Sequence, residues 1–165
     1  MSLAVIADEL GPIEHYALRS HDPGLPGAGQ LRIAIRAAGV SHVDILNATG
    51  KYQFRAAVPF IPGSEFAGVV EALGAGVTGF EIGQRVAARG WGGAFADAAV
   101  VAASSVDAVP DSMAFPEAAV FKVSALTAWH ALVHRGQLRA GETLLVLGAG
   151  GATGYAAVQL AKHLG

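Results

Sequence analysis

The chain has 165 residues, 53% of them hydrophobic and 15% charged, with a formal net charge of −2. That composition suits one packed domain, or one domain and a piece of a second, and excludes disorder. The small net charge offers no electrostatic ground for nucleic acid or an anionic membrane as partner, and the absence of cysteine excludes disulfides, thiolate nucleophiles and sulfur-ligated zinc.

At the N-terminus, MSLAVIADELG brings acidic residues after only a short apolar run, unlike a signal peptide. Charges or glycines interrupt every apolar run before the roughly 18 residues of a membrane span. The expectation is a soluble, cytoplasmic protein. Short strand-like runs follow at Leu3–Ala7, His15–Arg19, Leu31–Ala37, Phe66–Leu73, Arg85–Ala88 and Ala94–Ala102, punctuated by Gly and Pro. Leu31 to Arg36 alternates cleanly, so one face is predicted buried with the arginines pointing out. Between strands, Val43–Thr49 reads as a short helix with Ser41 as its N-cap. Many short strands with glycine corners predict a mainly β, partly open barrel.

After Asp111 the pattern changes. Phe115-Pro116-Glu117 opens a helical segment with Pro at an early position, and two helices or one kinked helix reach about Gly136. Glu142–Leu147 is then a continuous apolar run of the kind found in parallel strands buried on both faces. The turn Gly148-Ala149-Gly150-Gly151-Ala152-Thr153-Gly154 follows at once, and Tyr155–Leu164 reads as a helix. Strand, glycine turn and helix form the first β-α unit of a doubly wound α/β domain. A doubly buried strand needs neighbours, so a truncated second domain is expected, or one completed by another copy.

The glycine turn carries the strongest local signal. Gly148, Gly151 and Gly154 recur every third residue, allowing a sharp exit from the strand, approach of a pyrophosphate to the backbone and close helix packing. The N–H groups opening the next helix then face the phosphates. The alternative is a tight connection without a ligand. The residue that would select NAD or NADP lies about 20 residues further on, past Gly165.

Other groups are less specific. His130 and His134 share the spacing of a zincin pair, but no glutamate follows the first and no third ligand is evident, so they read as exposed histidines. Glu65 is a turn anchor or a catalytic carboxylate. Lys122 either snorkels from a helix end or sets a cation near a carbonyl site. Tyr52 is a loop aromatic or an acid, and Trp91 and Trp129 read as core or interdomain packing.

Several segments together resemble the medium-chain dehydrogenase/reductase superfamily: AAGVSHVDI (37–45), TGKY (49–52), PFIPGSEFAGVVEALGAGVTGFEIGQRV (59–86), GGAFADAAVV (92–101), VPDSMAFPEAAVFKVSALTAWHAL (109–132) and LRAGETLLVLGAGGATGYAAVQLAKHLG (138–165). The resemblance implies a GroES-like barrel over 1–115 as the substrate-side domain. Over 116–165 it implies connecting helices and the incomplete start of a Rossmann dinucleotide-binding domain. In that superfamily the zinc alcohol dehydrogenases carry metal ligands at the positions of Ser41 and Ser64 and a relay hydroxyl at Val43. Serine is a poor zinc ligand and valine relays no proton, so no metal site is expected.

What remains resembles the zinc-free quinone oxidoreductase (zeta-crystallin-like) branch. The family's GVNPVD stands here as Gly39 to Asp44, with serine for asparagine and histidine for proline. Lys122 stands where proline is common. The resemblance implies NADPH as cofactor, with NADH not excluded, and a quinone or activated enone as small-molecule substrate. Ser41, Tyr52 and Thr127 would line the nicotinamide end, and Gly148, Gly151, Ala152, Thr153 and Gly154 would lie under the pyrophosphate. Tyr52, Ser41 and Lys122 are the candidate donors to the developing oxyanion. A full-length homodimer or homotetramer is expected, and an inactive chain when alone. The alternatives are a zinc-free reductase of 2-alkenals or enoyl thioesters, and a non-catalytic module for assembly or dinucleotide sensing.

Overall fold

The alternation in Leu31–Arg36 is realised in a ten-residue strand, β3 (Gln30–Gly39), of a computed structural model that describes residues 2–165. Leu31 and Ile33 are fully buried. Arg32 points the other way, donating to Asp22 at 2.8 Å and Glu71 at 3.0 Å. The hydrogen bonds from Arg32 and then the Gly24 N–H hold the Asp22 carboxyl below its ordinary range. That contribution is therefore present above the usual carboxylate range and is lost as pH falls through the lowered value.

Before β3 lie β1 (Leu3–Ile6) and β2 (Ala17–Ser20), an antiparallel pair. After it come α1 (His42–Ala48), β4 (Glu65–Leu73), β5 (Arg85–Arg89), β6 (Ala98–Ala102) and β7 (Val106–Ala108). The larger sheet runs β6-β3-β4-β5-β7 and every pairing is antiparallel. Its core holds Leu31, Ile33, Phe66, Val70, Val86, Ala88, Ala99 and Val106. The mainly β expectation is thereby met, with strand bounds shifted. His15 closes a 3₁₀ turn, Ile13–His15, before β2. Ala94–Asp97 lies outside β6, with the Phe95 N–H bonded to the Pro62 carbonyl at 3.0 Å. The short strand β7 was not predicted.

Two register shifts interrupt the β3–β4 pairing, and Gly68 sits opposite the second, paired with Ile35. A Cβ at Gly68 would lie 2.0 Å from the Ala34 carbonyl oxygen. Only glycine lets the two backbones approach this closely.

Arg85 fastens the far end of the sheet. Its guanidinium lies 3.9 Å from the centre of the Phe115 ring and donates to the Met113 carbonyl. There α2 (Phe115–Trp129) begins, with Pro116 second and the Glu117 carboxylate accepting from the Ala114 N–H at 3.1 Å. The chain forms two compact units, one up to Ala119 and one from Val120 to Gly165, the division falling within α2.

In the second unit α2 passes directly into a π-helical turn, His130–Arg135, closed by a bond from the Gly136 N–H to the Ala131 carbonyl at 2.7 Å. The helical region to Gly136 is thus one continuous run with a widened last turn. Glu142–Leu147 departs from expectation. No strand pairs with it among the described residues, and Leu145 and Leu147 are 81% and 86% exposed. An apolar run specifies burial only when neighbouring strands supply the hydrogen bonds and the cover. The last element is α3 (Ala152–Leu164). No helix among the described residues is long and apolar enough to cross a membrane.

Gly68→Ala is expected to lower unfolding stability by about 1–3 kcal/mol through overpacking. Gly11→Ala, where an added Cβ meets nothing within 4 Å, is expected to leave it nearly unchanged. Urea titration of both variants checks the contrast.

Candidate functional site

The loop after β3 is shaped by a helix cap. The Ser41 hydroxyl accepts from the Asp44 N–H at 3.4 Å, while the Asp44 carboxylate accepts from the Ser41 N–H at 2.7 Å. This reciprocal pair is a capping box. The one hydroxyl hydrogen of Ser41 is also committed to Asp44, at 2.8 Å. Ser41 is accordingly the predicted N-cap and Asp44 a buried anchor, and in this arrangement Ser41 has no proton left to donate. His42 opens α1 and is exposed.

The helix ends quickly. The Tyr16 hydroxyl donates to the Ala48 carbonyl at 2.8 Å, and burial pushes the Tyr16 pKa up. Gly50 takes a positive φ of 67°, and the N–H groups of Lys51 and Tyr52 both donate to the Leu46 carbonyl. Tyr52 is thereby fixed at its backbone, while its hydroxyl has no partner among the described residues.

Around Tyr52 is an aromatic group that sequence reasoning missed. Its ring lies 6.3 Å from that of Phe54 and 6.5 Å from that of Trp91, and Phe54 and Trp91 meet edge to face at 5.6 Å. Trp91 is held in Gly90-Trp91-Gly92-Gly93, where Gly90 donates to the Ser64 carbonyl at 2.8 Å and Gly93 to that of Ile61 at 2.7 Å. Trp91 is 68% exposed, and Trp129 is exposed as well, so neither is a core residue. Trp91 lies about forty residues from Tyr52, and only the strand pairing brings the two loops together; no local motif signals it.

Glu65 opens β4, opposite Gly39 and Arg89, and is 5% exposed. Its Oε1 would be 3.2 Å from a Cβ placed on Gly39, so the side chain covers that glycine. Ser64 is half-buried beside it.

The second unit holds the other candidates. Lys122 and Thr127 both lie on α2, and their five-residue separation turns them about 140° apart around the helix. Lys122 is half-buried; Thr127 is exposed, and its hydroxyl donates to the Val123 carbonyl at 2.8 Å. His130 and His134 are exposed and stack edge to face at 5.6 Å, and the Trp129 indole N–H donates to His134 Nε2 at 3.2 Å. Among the described residues no group of three His, Cys, Asp or Glu could hold a metal.

The glycine turn is built as its spacing predicts. Gly148 has a φ of 75°, its carbonyl accepts from the Gly151 N–H at 3.0 Å, and Gly151 is the N-cap of α3 without a side-chain cap. A Cβ on Gly154 would lie 2.3 Å from the Gly148 carbonyl oxygen, so glycine is required there for the helix to close on the turn. Gly148 to Thr153 are exposed, and no acidic residue follows Glu142. The first N–H groups of a helix lack intrahelical partners. An uncapped, exposed helix start in a segment, 143–165, that itself carries no acidic residue fits a pyrophosphate.

Antiparallel sheets of this topology, followed in the chain by a glycine turn and helix, are the arrangement expected of the medium-chain dehydrogenases and reductases. Residues 27–111 match the alcohol dehydrogenase GroES-like domain, and the chain belongs to that family, among quinone oxidoreductase-like members of the superfamily. It is 38% identical over 139 residues to a quinone oxidoreductase-like protein 2 homolog of Nematostella vectensis, covering 84% of this chain and 38% of that one. With human quinone oxidoreductase it shares 35% identity over 164 residues, covering 98% of this chain and 50% of the other. A polyketide synthase of Streptomyces halstedii is 45% identical over 137 residues, covering 83% of this chain and 2% of that one. A mycobacterial protein solved in complex with NADPH superposes with a TM-score of 0.88 at 33% identity, covering 99% of this chain and 50% of that one. The chain thus spans half or less of the length of each.

Replacing the cap tests the first unit's loop. Ser41→Ala is expected to cost about 1 kcal/mol of stability, read as a lower urea midpoint; an unchanged midpoint would mean that the capping box contributes nothing.

Proposed function

We propose that this chain serves an NADPH-dependent reductase that passes hydride to a quinone or activated enone without zinc. The observation that carries the reading is the open, uncapped start of α3 behind Gly148–Gly154, in a segment without acidic residues and tight enough to require glycine at 154. The NADPH complex of the mycobacterial relative supports that cofactor.

When bound, the nicotinamide would supply the hydride. The backbone N–H groups of Ala152, Thr153 and Gly154 would hold the pyrophosphate. Reduction of a quinone or enone places negative charge on a carbonyl oxygen, which needs a donor. In the first unit Tyr52 fits that task better than Ser41, because the Tyr52 hydroxyl is without a partner among the described residues and the Ser41 hydrogen is committed to Asp44. Lys122 remains the candidate donor from α2. Ser41 and Ser64 stand at the ligand positions of the zinc branch, and neither forms a good zinc ligand.

In the protein that carries this chain, NADPH oxidation with 1,4-benzoquinone is expected to saturate and to survive dialysis against a chelator. Tyr52→Phe is expected to lower kcat about three- to tenfold, less than the roughly hundredfold of a sole proton donor because Lys122 or solvent can also supply the proton. NADPH binding without turnover on any acceptor would favour a sensing module, and loss of activity on chelation would overturn zinc independence. A second reading, reduction of enoyl thioesters, is favoured by the identity to the polyketide synthase. A crotonyl thioester in the same assay separates the two by relative kcat/KM.

A further inference from the structure

Beside Tyr52 is a cavity of about 320 Å³ lined by Asn47, Phe54, Arg55, Ala56 and Trp91. We infer that it is a subsite for a planar aromatic ring bearing an anionic substituent. As the acceptor's outer end it rests on the reductase reading; as a binding site it stands without it.

Three independent features converge on that chemistry. Phe54 and Trp91 are 61% and 68% exposed yet packed edge to face. Two large aromatics left in solvent at one spot mark a contact surface, and aromatic groups pair favourably with a further flat ring. Asn47 is only 7% exposed, lines the cavity, and its carboxamide makes no hydrogen bond among the described residues. The carboxamide is a polar group at the cavity wall with hydrogen-bonding capacity unspent, and a carbonyl or hydroxyl on the ring would use it. Arg55 has no ion-pair partner among the described residues. Between Asp44 and Glu65 the charged residues are Lys51 and Arg55, both basic. In a chain of net charge −2 this loop is locally cationic, which favours a carboxylate, sulfonate or phosphate at the rim.

The two tryptophans are Trp91 and Trp129, so Trp129→Phe leaves Trp91 as the sole indole reporter. In that background the chain is titrated with anthraquinone-2-sulfonate and with neutral 2-(hydroxymethyl)anthraquinone, neither of which requires cofactor or turnover. Saturable quenching by both is expected. Arg55→Gln should weaken the sulfonate about fivefold, the upper range for one partly exposed ion pair, and leave the neutral probe unchanged. Phe54→Ala should weaken both about five- to tenfold, as for loss of one aromatic contact. Asn47→Leu should weaken both, and because Asn47 lies within α1, the two surface variants decide between the outcomes if that protein fails to fold. Non-saturating quenching, an equal effect of Arg55→Gln on both probes, or no effect of Phe54→Ala overturns the subsite. Probe binding with these responses but no NADPH oxidation would overturn only the reductase reading; turnover without them would overturn only the subsite.

Discussion

The double pairing of β3 is the constraint on which the first unit depends. One ten-residue strand is hydrogen-bonded to β4 on one edge and β6 on the other. Its alternation therefore decides at once which side chains of three strands face the core. Leu31 and Ile33 set the buried face, and Phe66, Val70 and Ala99 meet them from the neighbouring strands. The register shifts and Gly68 allow the close approach of β3 and β4 without losing this match. The same strand ends at Gly39 against Glu65, and there delivers Ser41 and α1 to the sheet's end. The position of the candidate site is thus a consequence of strand register.

At that end, rigidity and openness are divided between neighbouring groups. The capping box, the Tyr16 bond and the paired contacts to the Leu46 carbonyl immobilise backbone. They leave side-chain capacity unused on Tyr52, Asn47 and Arg55. Pre-organised backbone with unspent polar groups is the general form of a binding site, since little ordering remains when a ligand arrives. Ser41 illustrates the converse: the residue most suggestive of chemistry in the sequence has both hydrogen-bonding roles filled by Asp44.

Much of this was legible because the governing signals are local. Alternation in Leu31–Arg36, a serine followed three residues later by an acid, and glycines spaced by three each describe contacts within a few residues. The segments misread are those whose state depends on distant partners. Val106–Ala108 becomes a strand by pairing with Val86–Ala88, although an aspartate sits at its centre. Trp91 reads as core or interdomain packing, and glycine on both sides holds it in a turn outside the core. Asn47 is one polar residue inside a helix, and only the packed structure shows that it lines a cavity. The glycine turn was recognisable in full, since its requirement at Gly154 arises from Gly148, six residues earlier.

The uncovered run Glu142–Leu147 has a consequence for the behaviour of the chain in solution. Thr143-Leu144-Leu145-Val146-Leu147 contains no charge and no proline, and its leucines at 145 and 147 lie in solvent. Such a segment combines strand propensity with free backbone donors and acceptors, the properties that template edge-to-edge strand addition and fibril growth. An edge of that kind is where a further strand, from this chain or another, adds in register.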